Sequence, residues 1–178
     1  MFQHKFNISF KLSKKLKISL FIQHTNLKVL QTQIYRKMTE QTFAMIKPDA
    51  IKAGYLDKIL NHITSNGFKI VMQREFTFSL DDVEYFYQEH KNTSWFGDLK
   101  TFMMSGPCVG LVLEKPNAVV EWRKLIGPTN VSTAKTTAPN SLRALYGDAE
   151  NSSKNACHGS DGLASASREI LFFTKNSE

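Results

Sequence analysis

From Thr42 the hydrophobic and polar pattern is dense with structure signals, beginning with TFAMI (42–46), a short apolar run that stops at Lys47-Pro48-Asp49. A run this short predicts a strand, and the proline ends it because proline has no N–H for a ladder. Leu56, Ile59, Leu60 and Ile63 then recur at helical spacing, with Asn66-Gly67 as the stop. FKIVMQREFTF (68–78) has strand composition, with Phe76 and Phe78 alternating near its end. Ser79 to Asp82 supplies N-cap residues for a helix through Tyr85 and Phe86, and a second helical segment runs from about Trp95 to Met104, broken by Gly106-Pro107. CVGLVLE (108–114) predicts a buried strand, and Asn117 a cap for a helix reaching about Leu125. Residues 127–154 show little periodicity and predict a long polar loop, of the kind that is usually functional or disordered. A short strand follows, and Ser160 or Asp161 is placed to cap a last helix in which Leu163, Ala166, Ile170 and Phe173 share a face. This order predicts an α+β sandwich, with helices over a small sheet.

Charge divides the chain. Residues 1–39 hold eight of its 23 cations and no acid, and the first acid is Glu40. The remaining 15 cations face 16 anions, so the net charge of +7 belongs to an N-terminal extension and the domain at 40–178 is nearly neutral. The overall basicity therefore carries no argument for nucleic-acid binding by the folded part, and no apolar run is long enough to suggest a membrane partner. The extension, free of acids and dotted with Ser and Thr, fits a mitochondrial transit peptide, although it is richer in Lys than Arg and its apolar residues alternate. The competing reading starts the working protein at Met38 and leaves it cytoplasmic. Cys108 and Cys157 form no CxxC pair and no disulfide framework, and a zinc site would need more ligands at usable spacing.

The candidate chemistry gathers at NACHGSD (155–161). His158 stands just before a predicted helix, and an imidazole beside a helix N-terminus suits an anion. Physical reasoning leaves two readings open: a structural or surface histidine, and a nucleophile for phosphoryl transfer. A triad of His158 with its neighbours Ser160 and Asp161 is unsupported, since triads are defined by geometry and not by adjacency. Arg123, Thr129 and Arg143 lie on or beside the long loop, and arginine forks match phosphate oxygens. Each of them, and Lys47, reads equally well as a solvated charge or a cap. Tyr87 and Trp95 read either as core aromatics or as exposed rings on which a base stacks.

TFAMIKPDA (42–50), SGP (105–107), LIGPTN (125–130) and NACHGSD together resemble the signature segments of nucleoside diphosphate kinases, over about residues 40–173. KPDA, the APNSLR segment of an enlarged loop and HGSD followed by SASREI look most like the type-six, group II branch. The resemblance implies a ferredoxin-like α+β sandwich with a four-stranded antiparallel sheet. It also implies a ping-pong transfer of the γ-phosphate from a nucleoside triphosphate to a nucleoside diphosphate. His158 would be the phosphorylated nucleophile, with Glu169 orienting its imidazole, Ser160 nearby and Tyr87 matching the tyrosine near the catalytic histidine. Lys47, Arg123, Thr129 and Arg143 would hold the phosphates. Mg²⁺ would be bound through those phosphates and not by a protein cage. Asn155 would contact the sugar hydroxyl, with Lys47 reaching the same region, and Trp95 would stack on the base where the family usually has phenylalanine.

Departures from the family pattern are Ala144 for glycine, Lys154 for arginine, Val131 for a loop proline, and a longer loop between Arg123 and Asn155. The chain also lacks the C-terminal extension that steadies hexamers in many relatives, so the resemblance leaves homo-oligomerisation open. These departures motivate a rival expectation: a weakly active or inactive family member that serves as a nucleotide-binding scaffold.

Overall fold

The computed structural model describes residues 39–175 together with Leu27. The basic extension, with its transit-peptide reading, falls outside the described residues.

Strand β1 (Thr39–Ile46) is the organising element. Successive side chains on a strand point to opposite faces. Ala44 and Ile46 therefore enter a core with Ile59, Ile63, Leu111, Leu113 and Trp122. Phe43 and Met45 enter the opposite core with Val83, Phe86, Leu99, Val112 and Phe173. Both faces are covered, which is why this segment reads as a continuous apolar run.

Proline at 48 does more than stop β1. With a preset φ and no N–H to lose, it opens a short helix, α1 (Pro48–Lys52), that the apolar pattern did not predict. Helix α2 (Leu56–Ser65) ends as expected, with Gly67 at φ 78 where a side chain would be strained. β2 (Lys69–Phe76) alternates exposed and half-buried positions, as an edge strand should, and carries a bulge between Ile70 and Met72. α3 (Leu80–Phe86) begins with a reciprocal capping box between Ser79 and Asp82. A 3₁₀ turn (Gln88–His90), α4 (Phe96–Met103), β3 (Cys108–Pro116) and α5 (Ala118–Ile126) follow.

Two expectations about caps are corrected. Asn117 occupies the N-cap position of α5 in the left-handed conformation, φ 54, and its side chain caps nothing. The Val119 N–H donates instead to Glu40 Oε1 at 2.8 Å, so β1 supplies the cap. The last helix, α8 (Leu163–Lys175), starts later than the motif suggested. Neither Ser160 nor Asp161 caps it, because the Ser160 hydroxyl is turned inward and the first helical bond, from Ala166 N–H, goes to the Gly162 carbonyl.

The expected structureless loop contains two helices, α6 (Val131–Thr137) and α7 (Leu142–Tyr146). α6 is capped by Asn130, whose side chain accepts from Thr133 N–H at 2.9 Å. Buried Val131, Ala134 and Leu142 tie both helices to the body, too few apolar positions to print a helical period. Ala144, one of the departures, sits inside α7, where alanine is a better residue than glycine.

Strand β4 (Cys157–Gly159) completes an all-antiparallel sheet of order β2-β3-β1-β4, pairing with the end of β1 so that His158 faces Met45. This is the ferredoxin-like α+β architecture, with helices over a four-stranded sheet. Among the described residues no helix is long and apolar enough to cross a membrane.

Candidate active site

β4 is held by what surrounds it. The Trp122 indole N–H of α5 donates to the His158 carbonyl at 3.1 Å. A Cβ at Gly159 would lie 2.5 Å from the Trp122 ring, so only glycine lets the indole pack this closely. The turn entering β4 places Ala156 at φ 64, an unfavourable conformation for a residue with a Cβ. It is fixed from two sides: Ala156 N–H donates to Asp49 Oδ2 at 3.0 Å, and its carbonyl accepts from Lys47 N–H at 2.9 Å.

The His158 side chain lies against Phe86 and Tyr87, with ring centroids 5.1 and 6.1 Å away. Its Nε2 is 2.9 Å from Glu169 Oε2, and the Ser160 hydroxyl donates to the same oxygen at 2.8 Å. A carboxylate acceptor places the ring proton on Nε2 and leaves the Nδ1 lone pair available. His158 and Glu169 open onto a cleft of about 410 Å³, while Ser160 stays fully buried behind them.

The cleft wall brings together Lys47, Tyr87, Trp95, Arg123, Thr129, Arg143 and Asn155, which lie as much as 108 residues apart in the chain. Lys47 Nζ donates to Asn155 Oδ1 at 2.7 Å and to the Ser153 carbonyl at 3.1 Å. Asn155 is oriented in turn by Nδ2 donating to the Thr129 carbonyl. Arg143, only 5% exposed, spreads its guanidinium over the carbonyls of Cys157 and Gly127 and reaches the Thr129 hydroxyl. Arg123 donates to the Gly159 carbonyl at 3.3 Å.

Among the described residues none of these three cations is ion-paired with a carboxylate. Burial, then the nearby Arg143, lowers the Lys47 pKa to about 8. Arg143 falls to about 10 for the same first reason, with Arg123 adding repulsion. Two desolvated cations, Lys47 and Arg143, beside the exposed Arg123 and with no ion pair among the described residues, are an arrangement that suits an anion. Tyr87 is pushed well above the ordinary phenol range by burial and keeps its proton. Its hydroxyl approaches the Met103 sulfur at 3.9 Å. Burial lifts both Cys157 and Cys108 to about 12, so each is a neutral thiol.

Trp95 is 45% exposed at the cleft mouth, 4.8 Å from the His90 ring. A larger cavity of about 1020 Å³ adjoins there, sharing Trp95, Ser152 and Ser153 with the cleft. Sequence reasoning passed over Glu89 and His90, which also line the cleft. The spacing of His90 from Tyr87 was the available signal, since residues three apart share a face of a helical turn.

The sequence pattern of nucleoside diphosphate kinases matches residues 40–178, most of the chain. The chain belongs to the nucleoside diphosphate kinase family. It is 46% identical over 132 residues to the probable nucleoside diphosphate kinase 5 of Arabidopsis thaliana, covering 74% of this chain and 90% of that protein. A nucleoside diphosphate kinase of Campylobacter fetus subsp. fetus is 44% identical over 134 residues, 75% of this chain and 94% of its own length. Among solved structures, the Aquifex aeolicus nucleoside diphosphate kinase superposes with a TM-score of 0.73 at 41% identity, covering 76% of this chain and 94% of that one. The enzyme of Encephalitozoon cuniculi gives 0.71 at 31% identity, over 75% and 88% of the two chains. The family's antiparallel sheet and helices are those described above.

Proposed function

We propose that the protein moves the γ-phosphate of a nucleoside triphosphate onto a nucleoside diphosphate through a phosphorylated His158. The observation that carries the reading is a histidine held by Glu169 through Nε2, at the wall of a cleft where Lys47, Arg123 and Arg143 converge without carboxylate partners. In the first half-reaction Nδ1 attacks the γ-phosphorus in line. The N–P bond forms, the bond to the β–γ bridging oxygen breaks, and its electron pair leaves with the diphosphate. Glu169 stabilises the positive charge that grows on the ring, and the three cations stabilise the charge on the phosphoryl oxygens. In the second half-reaction a terminal oxygen of another nucleoside diphosphate displaces the histidine along the reverse course. Lys47 and Asn155 engage the sugar hydroxyl, and Trp95 offers a face to any base, which suits a broad substrate range.

Mg²⁺ fits this site as a companion of the nucleotide. The ion keeps several waters and favours substrate phosphates. Among the described residues no group of three His, Cys, Asp or Glu side chains forms a cage of its own. The ion would supply further charge neutralisation on the phosphates. KPDA and the enlarged loop support the type-six, group II branch as the nearer kin.

The test is incubation with γ-labelled ATP. Acid-labile label on the protein, chased off by GDP and missing in His158→Gln, is the expected result. Absence of any transferable label at saturating Mg²⁺ overturns the reading and favours the nucleotide-binding scaffold. For the extension, we carry forward a mitochondrial destination; a shortened form in mitochondria supports it, and a full-length cytosolic signal refutes it.

A further inference from the structure

Asp49 takes no part in the chemistry just described, yet its side chain reaches from α1 to hydrogen-bond the turn before His158. Its Oδ2 accepts the Ala156 N–H across 107 residues of sequence, and its Oδ1 is buried with no hydrogen-bond partner among the described residues. Burial raises its pKa, while the Ala156 N–H and the Lys47 charge pull the other way. The residue it grips is the strained one, Ala156 at φ 64, with no exposed surface.

Three functional groups hang on that turn. Asn155, one residue before, carries the hydrogen bond to the Lys47 ammonium. Cys157, one residue after, offers the carbonyl that takes two N–H groups of Arg143. His158 comes next, paired with Met45 of β1. A peptide flip at Ala156 would therefore displace the ammonium, the guanidinium and the imidazole together. Left-handed backbone at a residue with a Cβ persists only where its surroundings over-determine it, and Asp49 is the side chain that does so.

We infer that Asp49 is a positioning residue for phosphoryl transfer, acting through the Ala156 peptide to align His158 with the cations that hold the phosphates. The inference rests on the phosphohistidine reading above. It departs from a plain structural role in what it expects of kinetics. A misalignment of about 1 Å at a reacting centre costs on the order of a hundredfold in rate, whereas binding through several separate phosphate contacts declines far less.

The experiment measures the single-turnover rate of label transfer from γ-labelled ATP to His158, alongside ADP affinity by calorimetry and the melting temperature. It compares the wild type, Asp49→Ala and Asp49→Asn. Asp49→Ala is expected to slow labelling by about ten- to a hundredfold while ADP affinity falls by less than about fivefold and the protein still melts cooperatively. Asp49→Asn keeps an acceptor oxygen for Ala156 N–H and is expected to recover most of that rate. Three results overturn the inference while leaving the phosphohistidine intact. One is wild-type labelling by Asp49→Ala. Another is a loss confined to ADP affinity. The third is failure of Asp49→Ala to fold together with a loss in Asp49→Asn just as deep. A wild-type protein that takes no label overturns both this inference and the reading beneath it.

Discussion

Lys47 is required to hold a positive charge where water hardly reaches, and pH makes that burden measurable. Burial and Arg143 of α7 bring its pKa to about 8, against the pull of Asp49 on α1; the flanking thiols, Cys157 of β4 and Cys108 of β3, stay neutral. A folded pKa below the ordinary 10.5 means that the unfolded chain binds more protons between those values. Stability of the nucleotide-free protein from this group therefore rises as pH climbs through 8. On the proposed function, nucleotide affinity is expected to move the opposite way, because the phosphates would be met by the Lys47 ammonium. Binding should take up a proton near pH 8.5 and weaken above it, which calorimetry in buffers of different ionisation enthalpy will detect. Gly159 offers a second test at the same scale. Gly159→Ala must displace the Trp122 ring and its bond to the His158 carbonyl. An overpacked core site costs about 1–3 kcal/mol, so a lower melting temperature and slower labelling of His158 are expected together.

Among the elements, α6 shows best how a site can depend on a segment that carries almost no pattern. Its cap, Asn130, directly follows Thr129, whose carbonyl orients Asn155 and whose hydroxyl meets Arg143. Asn130→Ala should cost about 1 kcal/mol, the usual worth of an N-cap, and raise the KM for nucleotide more than it lowers kcat. β1, β3 and the ten-residue α2 could be read from apolar spacing, and α3 from the N-cap residues Ser79 to Asp82. α1, α6 and α7 could not, because five- to seven-residue helices with two buried positions leave no period to find. The cap of α5 was misread for another reason: Glu40 and Val119 are 79 positions apart, and pairing at that range is invisible before the sheet is assembled. The cleft followed the same rule. Motif likeness pointed to His158, Lys47 and Arg143, but each singly looked like a core histidine or a solvated charge until antiparallel pairing of β4 with β1 brought them together. Asp49 read only as the end of a strand, since its partner is a backbone N–H.

Across the described domain, which is nearly neutral, Lys47, Arg123 and Arg143 share one cleft without ion-pair partners, although Glu89, Asp161 and Glu169 line it too. The free protein should accordingly be less stable than its complexes. Saturation with ADP at about a hundred times its Kd adds about 2.7 kcal/mol, visible as a rise in melting temperature that Arg143→Met and Lys47→Met both diminish. The two tryptophans divide the molecule optically in a similar way. Trp122 is sealed in the core behind β4, and Trp95 stands 45% exposed at the cleft mouth beside His90. Light emitted by the protein therefore comes from two populations, one beyond the reach of a dissolved quencher such as iodide and one open to it. A base lying on Trp95 would close off the second, so occupancy of the cleft can be followed by the loss of quenching, with no label on either nucleotide or protein.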